Sequence, residues 1–235
     1  MRGRDYADRM NPYLFDPPAV PVVPVEGQAA GFPVRRILCV GRNYWAHRKE
    51  MGGEDRDPPF FFAKPADAVV PPGGAVAYPP RTANLHHEIE LVVAIDKAGA
   101  DLEPGQALDL VYGYAVGVDM TRRDLQNAAK DKGQPWDSSK GFDASAPISP
   151  IRPWTGAPPQ GRIRLSVNGE TRQDATVADM IWNVAEIVSE ASKLWRLAPG
   201  DLIYTGTPEG VGPLVRGDRV EGEVEGVGRL AFTVV

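Results

Sequence analysis

The sequence predicts a strand-dominated α+β fold with two or three helices. Its 25 glycines and 23 prolines follow no period, and this placement favours many turns and short strands over a helix bundle. Most apolar runs are short, and several alternate with the two-residue period of a β-strand. Only a few segments show helical spacing, so helices are the minority element.

The composition excludes several functional classes. A net charge of −5 argues against nucleic acid and anionic membranes as partners. No apolar run approaches the ~20 residues of a membrane span, and the charged start of the chain is not a secretory signal. The single cysteine, Cys39, excludes an internal disulfide and is typical of a small buried side chain in a reducing compartment. We therefore expect a cytoplasmic protein.

Residues 1–33 are irregular and rich in proline, and we expect an extended arm lying over a domain formed by residues 34–235. The domain opens with a strand and then a short helix over residues 42–51. His47 and Glu50 share one face of that helix, so they could form a base and its orienting carboxylate. Glycines beside the helix suggest a lid, although a surface helix with incidental charges gives the same pattern.

The segment over residues 84–95 reads as a strand in which Glu88 and Glu90 point away from an apolar row. Adjacent carboxylates on an otherwise apolar strand repel each other and are costly to bury unless a cation lies between them. Two exposed acids at a solvated strand end explain this segment equally well. The choice depends on the rest of the chain.

A third acid, Asp119, ends the strand predicted over residues 111–118. If Glu88, Glu90 and Asp119 meet in space, they form an all-oxygen ligand set with positions left for water or substrate. Such a set suits Mg²⁺ or Mn²⁺, and no cysteine and histidine set has the spacing of a zinc site. The sequence therefore favours a Mg²⁺ or Mn²⁺ site at these strand ends.

Other elements follow from apolar spacing and turn residues. They are a strand over residues 60–64, a helix from Thr121, a polar loop over residues 133–143, a hairpin with strands at residues 163–167 and 173–176, a helix over residues 177–197, a strand over residues 201–205, a glycine-rich loop over residues 206–213 and two strands over residues 218–235. Lys140 in the polar loop could face a developing oxyanion or be plain surface charge. The backbone N–H groups of the glycine-rich loop could bind an anion. We expect His86 and His87 to have structural roles beside the acids.

Five motifs in a fixed order resemble the fumarylacetoacetate hydrolase family. They are Gly41-Arg42-Asn43-Tyr44-x-x-His47-x-x-Glu50-Met51, His86-His87-Glu88-Ile89-Glu90-Leu91, Gly117-Val118-Asp119-Met120-Thr121-x-Arg123-Asp124-Leu125-Gln126, Lys132-Gly133-x-Pro135-Trp136-x-x-x-Lys140 and Thr205-Gly206-Thr207-Pro208-x-Gly210-Val211-Gly212. The resemblance covers residues 34–235, and residues 58–70 narrow it to the acylpyruvate hydrolase branch, nearest to enzymes that act on fumarylpyruvate.

The resemblance implies a mixed β-roll or sandwich with a few flanking helices, usually assembled as a homodimer. It implies metal ligands at Glu88, Glu90 and Asp119, a catalytic set at His47, Glu50 and Lys140, and substrate-binding groups at Arg123, Gln126 and Thr207. The cofactor implied is Mg²⁺ or Mn²⁺. In this scheme the paired histidine and glutamate activate water beneath a lid, and the lysine stabilises the oxyanion that forms.

The activity implied is hydrolysis of a C–C bond in a 3-acylpyruvate, a 2,4-diketo acid. The best guess is cleavage of fumarylpyruvate to fumarate and pyruvate in gentisate-type aromatic breakdown. Some branches of the family are decarboxylases of oxaloacetate-type 2-oxo acids or isomerases, but the His47–Glu50 pair favours hydrolysis because decarboxylation needs no attacking water. A non-catalytic 2-oxo acid binding protein is a third interpretation. Arg36, Arg42 and Arg48 are guesses for the residue that binds the distal end of the substrate.

Overall fold

The computed structural model describes residues 13–45 and 56–235. In this part of the chain the strands are β1 Val22–Val23, β2 Phe32–Pro33, β3 Arg36–Gly41, β4 Phe60–Lys64, β5 Val69–Val70, β6 Ala75–Val76, β7 Leu85–His87, β8 Ile89–Ile95, β9 Val111–Val118, β10 Thr121–Arg122, β11 Ala146–Pro147, β12 Arg152–Pro153, β13 Arg162–Val167, β14 Glu170–Thr176, β15 Asp201–Tyr204, β16 Gly212–Leu214, β17 Arg219–Val224 and β18 Gly228–Val234. The α-helices are α1 Pro104–Ala107, α2 Arg123–Asp131, α3 Asp137–Lys140 and α4 Val184–Leu194. Strands therefore dominate, and the predicted α+β class is confirmed.

Two mixed sheets form the body of the molecule. The six-stranded sheet has the order β12-β9-β8-β15-β3-β4, and the five-stranded sheet has the order β14-β13-β17-β18-β6. Each contains one parallel pair, β15 with β3 and β18 with β6, among antiparallel neighbours. A three-stranded ribbon, β10-β7-β16, lies at the end of β8. This arrangement confirms the mixed roll or sandwich that the sequence resemblance implied.

The core sits on both faces of β8, and this position determines where the acids of that strand lie. Ile89 and Leu91 pack in a large apolar cluster shared with the five-stranded sheet. Val92 and Ala94 pack on the other face, in a second cluster with β3 and β15. A strand covered on both faces has no solvated side, so Glu90 is buried along with its apolar neighbours.

The described part of the N-terminal segment lies against the domain. β1 pairs with β2, and a bridge joins Val25 to Ile151. Val23, Val25 and Phe32 are buried in the second apolar cluster. The division into an arm over residues 1–33 and a catalytic domain stays a prediction. None of the described helices is long and apolar enough to cross a membrane.

One helix prediction and one loop prediction need correction. The helix predicted over residues 177–197 is a 3₁₀ turn at Val177–Asp179 followed by α4, because Asn183 caps α4 with its side chain accepting from the backbone N–H of Glu186. The polar loop predicted over residues 133–143 contains the short helix α3. Most of the lid helix predicted over residues 42–51 lies outside the described residues.

Candidate metal centre and active site

Three carboxylates meet where β8 and β9 run side by side. Glu88 lies between β7 and β8, Glu90 on β8 pairs with Gly117 of β9, and Asp119 follows β9 directly. The backbone N–H of Asp119 donates to the carbonyl of Glu88 over 2.8 Å. One carboxylate oxygen from each acid lies within 4.8 Å of the others, and all three side chains are buried. The alternative of solvated acids at a strand end is therefore excluded.

Two buried lysines hold this cluster. The Nζ atom of Lys140 lies 2.8 Å from Oε2 of Glu88, 2.5 Å from Oδ2 of Asp119 and 2.7 Å from Oγ1 of Thr121. The Nζ atom of Lys64 lies 2.8 Å from Oδ1 of Asp119. With Arg123, which pairs with Glu88, three cations balance three carboxylates among the described residues. The cluster therefore has no net formal charge before a metal binds.

Lys64 is a site residue that the sequence reasoning missed. Its side chain closes β4 just before Pro65, is completely buried, and donates to the carbonyls of Met120 and Lys140. Because Lys140 is the last residue of α3, this contact also fixes the end of that helix. A lysine that ends the apolar run Phe60–Lys64 was the available signal, since burial of a lysine requires an acidic partner.

Glu90 is the acid that lacks a cation of its own. Within residues 13–45 and 56–235 the ion pairs of the cluster go to Glu88 and Asp119 and none to Glu90. Burial, followed by the charges of Asp119 and Glu88, raises the pKa of Glu90 well above its usual range. Its Oε2 atom accepts the backbone N–H of Gly206 over 2.7 Å. A buried all-oxygen set in which one acid has no directly paired cation among the described residues fits Mg²⁺ or Mn²⁺.

Lys140 remains a cation in this environment. Burial alone lowers its pKa, but the charges of Asp119 and Glu88 outweigh burial and raise the pKa above its ordinary value. The Nζ atom also lies 5.0 Å from the ring centroid of Phe62. A charged ammonium group is therefore held at the acids, where it can donate a hydrogen bond to an oxygen that gains negative charge.

The residues predicted to bind substrate line the same cavity. Its wall is formed by Val40, Gly41, Arg42, Phe62, Glu88, Glu90, Arg123, Gln126, Trp136, Lys140 and Thr207. Arg123 and Gln126 lie three residues apart on α2, and the guanidinium of Arg123 donates to Oε1 of Gln126. Oγ1 of Thr207 accepts from Nε2 of Gln173 over 2.8 Å. The cavity thus brings together two of the predicted metal ligands, Glu88 and Glu90, with the lysine and all three substrate-binding candidates, and the fully buried Asp119 lies behind its wall.

The two adjacent histidines hold other side chains in place. Nδ1 of His87 lies 3.0 Å from Oε1 of Gln173, and Arg123 donates to Nδ1 of His86 over 3.4 Å. Burial lowers the pKa of both rings, and burial together with the nearby Arg123 brings that of His86 to about 4. Both rings are therefore neutral near pH 7, and their contacts fit the structural roles expected from the sequence.

Two predicted groups are not placed by the structure. His47 and Glu50 lie outside the described residues, so their role as a base and its partner stays a prediction. Among the three arginines guessed for the distal end of the substrate, Arg48 also lies outside them. The guess that Arg36 binds the distal end is wrong, because the Nη2 atom of Arg36 is 2.9 Å from Oδ2 of the buried Asp201. Only Arg42 lines the cavity.

A larger concavity, of about 480 Å³, lies elsewhere on the molecule. Strands β13, β17 and β18 form it, with exposed side chains such as Glu221 and Arg229. It contains none of the predicted site residues and no buried acid. Size alone therefore does not identify the reactive site, which is defined by the buried charges.

Comparison with known proteins gives consistent matches. The family model for the fumarylacetoacetate hydrolase C-terminal domain matches residues 36–235. A fumarylpyruvate hydrolase from a Ralstonia species is 52% identical over 176 residues, which cover 74% of this chain and 92% of the relative. The mitochondrial oxaloacetate tautomerase of Mus musculus is 43% identical over 202 residues, covering 85% and 91% of the two chains.

A solved structure resembles this one closely. It is the crystal structure of fumarylpyruvate hydrolase from Pseudomonas aeruginosa in complex with Mn²⁺ and pyruvate, with a TM-score of 0.92 and 52% sequence identity. The match covers 95% of this chain and 99% of that chain. Similarity over nearly the full length of both chains shows that the fold and its order of elements are shared.

Proposed function

This chain belongs to the fumarylacetoacetate hydrolase family, and from that premise we propose that it hydrolyses fumarylpyruvate to fumarate and pyruvate. It is an enzyme of the hydrolase class that acts on carbon–carbon bonds in ketonic substances. The observation that carries the proposal is the buried triad of Glu88, Glu90 and Asp119, in which Asp119 pairs with Lys140 and the two glutamates line one cavity with that lysine. The relative from Pseudomonas aeruginosa holds Mn²⁺ and pyruvate, a product of this reaction.

The triad would hold the metal, as Mg²⁺ or Mn²⁺. Glu90 supports this assignment because it is buried without a cationic partner among the described residues. A bound divalent cation supplies Lewis-acid stabilisation to the 2-oxo carboxylate end of the substrate. The three carboxylates cancel the charges of Lys64, Lys140 and Arg123, so a divalent ion leaves this cluster with two positive charges, and Arg42 in the cavity wall adds a third. This balance favours a substrate that carries two carboxylates.

Lys140 stabilises the oxygen at C4 as negative charge develops there. Its ammonium group is buried and protonated, and α3 and Lys64 fix its position. A preorganised donor to an oxyanion is typically worth about 3–4 kcal/mol of transition-state stabilisation. The lysine therefore lowers the barrier to attack on the distal carbonyl, while the carboxylates hold it in place between turnovers.

Arg123, Gln126 and Thr207 orient the other end of the substrate. They converge on the cavity from α2 and from the segment after β15. Guanidinium, amide and hydroxyl groups match the oxygens of a 2-oxo carboxylate. Their pre-existing contacts with Glu88, with each other and with Gln173 fix these groups before substrate binds.

His47 and Glu50 provide the proton transfers. The histidine takes a proton from water as the water oxygen bonds to C4, and the glutamate orients the ring. The C3–C4 bond then breaks, its electron pair passes into the pyruvate enolate, and C3 accepts a proton. These two roles rest on the motif Gly41-Arg42-Asn43-Tyr44-x-x-His47-x-x-Glu50.

An absorbance assay of 2,4-diketo acid loss tests the proposed reaction. Purified protein with Mn²⁺ or Mg²⁺ is expected to consume fumarylpyruvate and release fumarate and pyruvate in equal amounts, and EDTA is expected to abolish turnover. Oxaloacetate belongs in the same panel, because a relative at 43% identity is an oxaloacetate tautomerase. Turnover of oxaloacetate with no loss of fumarylpyruvate would refute the hydrolase proposal.

We also propose that the enzyme acts as a homodimer in the cytoplasm. Tyr13, Leu14 and Phe15 expose apolar side chains that a second copy could cover. Cys39 is buried and unpaired, as is usual in a reducing compartment. Light scattering is expected to give twice the mass of one chain, and a monomer at micromolar concentration would contradict the first part.

A further inference from the structure

The cavity at the metal centre contains three basic side chains, and one of them differs from the others. Lys140 pairs with Glu88 and Asp119, and Arg123 pairs with Glu88. Arg42 lines the same cavity, yet none of the ion pairs among the described residues involves it. Its Nε atom is buried without a hydrogen-bond partner. Arg42 as a whole is partly exposed, but a buried guanidinium nitrogen without a partner is costly, so its retention in a ligand cavity points to an anionic ligand.

The backbone holds Arg42 in this position despite strain. Arg42 has a φ of 58°, a left-handed conformation that is strained for a residue with a side chain. The next residue fixes it, because the Asn43 side chain donates to the carbonyls of Trp182 and Thr205 and accepts from the N–H of Trp182, all within 2.9 Å. The contacts of Asn43 thus fix the backbone that places Arg42 in the cavity wall.

A further cation, Lys130, lies near Arg42 and Arg123 but outside the cavity wall. Partial burial, followed by the charges of Arg42 and Arg123, lowers the pKa of Lys130. Lys130 is on α2, two turns after Arg123 and on the same face. The basic groups therefore extend from the acids, through Arg123, to a region formed by Arg42 and Lys130. The cavity wall contains the carboxylates of Glu88 and Glu90, but no ion pair among the described residues joins either acid to Arg42 or Lys130.

We propose that Arg42, assisted by the positive charge of Lys130, binds the carboxylate at the acyl end of the substrate and makes the enzyme selective for diacids. This inference rests on the proposed function, in which the 2-oxo acid end is held at the triad. A guanidinium forms two parallel hydrogen bonds with a carboxylate, which gives both affinity and orientation. Phe62 and Trp136, which also line the cavity, offer flat apolar surface for the conjugated chain between the two ends.

The test compares substrates that differ in the distal carboxylate. Fumarylpyruvate has that group, whereas acetylpyruvate lacks it, and both share the 2,4-diketo acid. Arg42→Gln is expected to lower kcat/KM for fumarylpyruvate by about 10- to 100-fold, the usual effect of losing hydrogen bonds to a charged group. The value for acetylpyruvate is expected to stay within about threefold, and Arg42→Lys is expected to restore part of the loss.

Matched controls separate local binding from general effects. Glutamine at position 42 keeps the same backbone strain as arginine, so folding stability is expected to be similar. Arg219→Gln removes an arginine that is exposed on the five-stranded sheet and pairs with Glu221, and it is expected to leave both substrates unaffected. An equal fall for both substrates in Arg42→Gln, or no fall for either, overturns the proposal.

A binding measurement keeps this inference distinguishable from the proposed reaction. Calorimetry with Mn²⁺ present compares 2-oxopimelate with 2-oxoheptanoate, which match fumarylpyruvate in chain length but have no C4 carbonyl to attack. Arg42→Gln is expected to weaken the diacid about 10- to 100-fold and the monoacid little. If the wild-type protein hydrolyses neither diketo acid but shows this selective loss, the hydrolase proposal fails and the carboxylate site stands. If the two ligands weaken equally, the carboxylate site fails.

Discussion

At the scale of single residues, the site is defined by buried acids and by the cations that pair with them. Glu88, Glu90 and Asp119 were predictable from sequence because the two-residue period of a strand places neighbouring acids on one face. Lys64 was not, because the acid that it pairs with lies 55 residues further along the chain and local pattern gives no sign of it. Arg36 failed for the same reason, since its partner Asp201 is distant in sequence. Ion pairs between distant residues depend on the complete fold.

Lys64→Met tests the buried pair with Asp119. The substitution keeps most of the side-chain volume but leaves Asp119 without one of its two cations, and breaking a buried pair in this way typically costs about 3–5 kcal/mol. Urea denaturation of the metal-free protein is expected to show that loss, and added Mn²⁺ is expected to reduce it. Lys193→Met is the control, because Lys193 pairs with Glu190 at the surface and should change stability little. Equal stabilities for the two variants would contradict the assigned role of Lys64.

At the scale of elements, the predictions that depend on local sequence signals are confirmed, and the one that long-range contacts override is wrong. The strands Phe60–Lys64 and Val111–Val118 match the predicted bounds, and the Asn168-Gly169 turn has positive φ at both residues, as a two-residue hairpin requires. The helix predicted over residues 177–197 failed in its first turns. There the backbone groups of Ile181 and Trp182 bond to Asn43 instead of to a helix. Asn43 lies in the loop after β3, far from residues 177–197 in sequence, so the local sequence pattern does not show that it competes for these backbone groups.

Gly206 tests how the loop after β15 supports the acids. It has a φ of 97°, and a Cβ added there would come within 2.6 Å of Cβ of Asn43. Because its N–H also donates to Glu90, Gly206→Ala is expected to lower both stability and affinity for Mn²⁺. Gly217→Ala is a matched control, with a φ of 93° and no atom within 4 Å of the added Cβ.

The two glycine variants share the backbone penalty and differ in the contact. Gly206→Ala is therefore expected to be about 1–3 kcal/mol less stable than Gly217→Ala, the usual range for overpacking. Urea denaturation measures the difference, and Mn²⁺ titration should show weaker binding for Gly206→Ala alone. Equal metal affinity in both variants would show that the loop does not position Glu90.

At the scale of the whole molecule, the two sheets bury acids that only a cation makes tolerable. β8 is covered on both faces, so its pairing with β9 and β15 forces Glu90 into the interior. The fold therefore stores unfavourable electrostatic energy in the metal-free state. Strand order and the packing of the five-stranded sheet on β8 and β9 come from contacts between distant segments, and for that reason the sequence indicated the acids but not the depth at which they lie.

Metal binding should therefore couple to global stability. Mn²⁺ at 100 times its dissociation constant is expected to raise the free energy of unfolding by about 2.7 kcal/mol, measured by urea denaturation with Mn²⁺ or with EDTA. Glu90→Gln should lose most of that gain, because it removes one ligand. In EDTA the same variant should be at least as stable as wild type, since the amide can accept from Gly206 without burying a charge that lacks a paired cation.

Opposite effects of one substitution in the two conditions would distinguish a ligand from a structural acid. A carboxylate that serves only the fold would lower stability when it is replaced, with or without metal. Asp119→Asn offers the comparison, because Asp119 pairs with both Lys64 and Lys140 and should lose stability in EDTA as well. If Glu90→Gln behaved like Asp119→Asn in EDTA, Glu90 would be stabilised by the protein itself, and the case that this cavity is built around a divalent cation would fail.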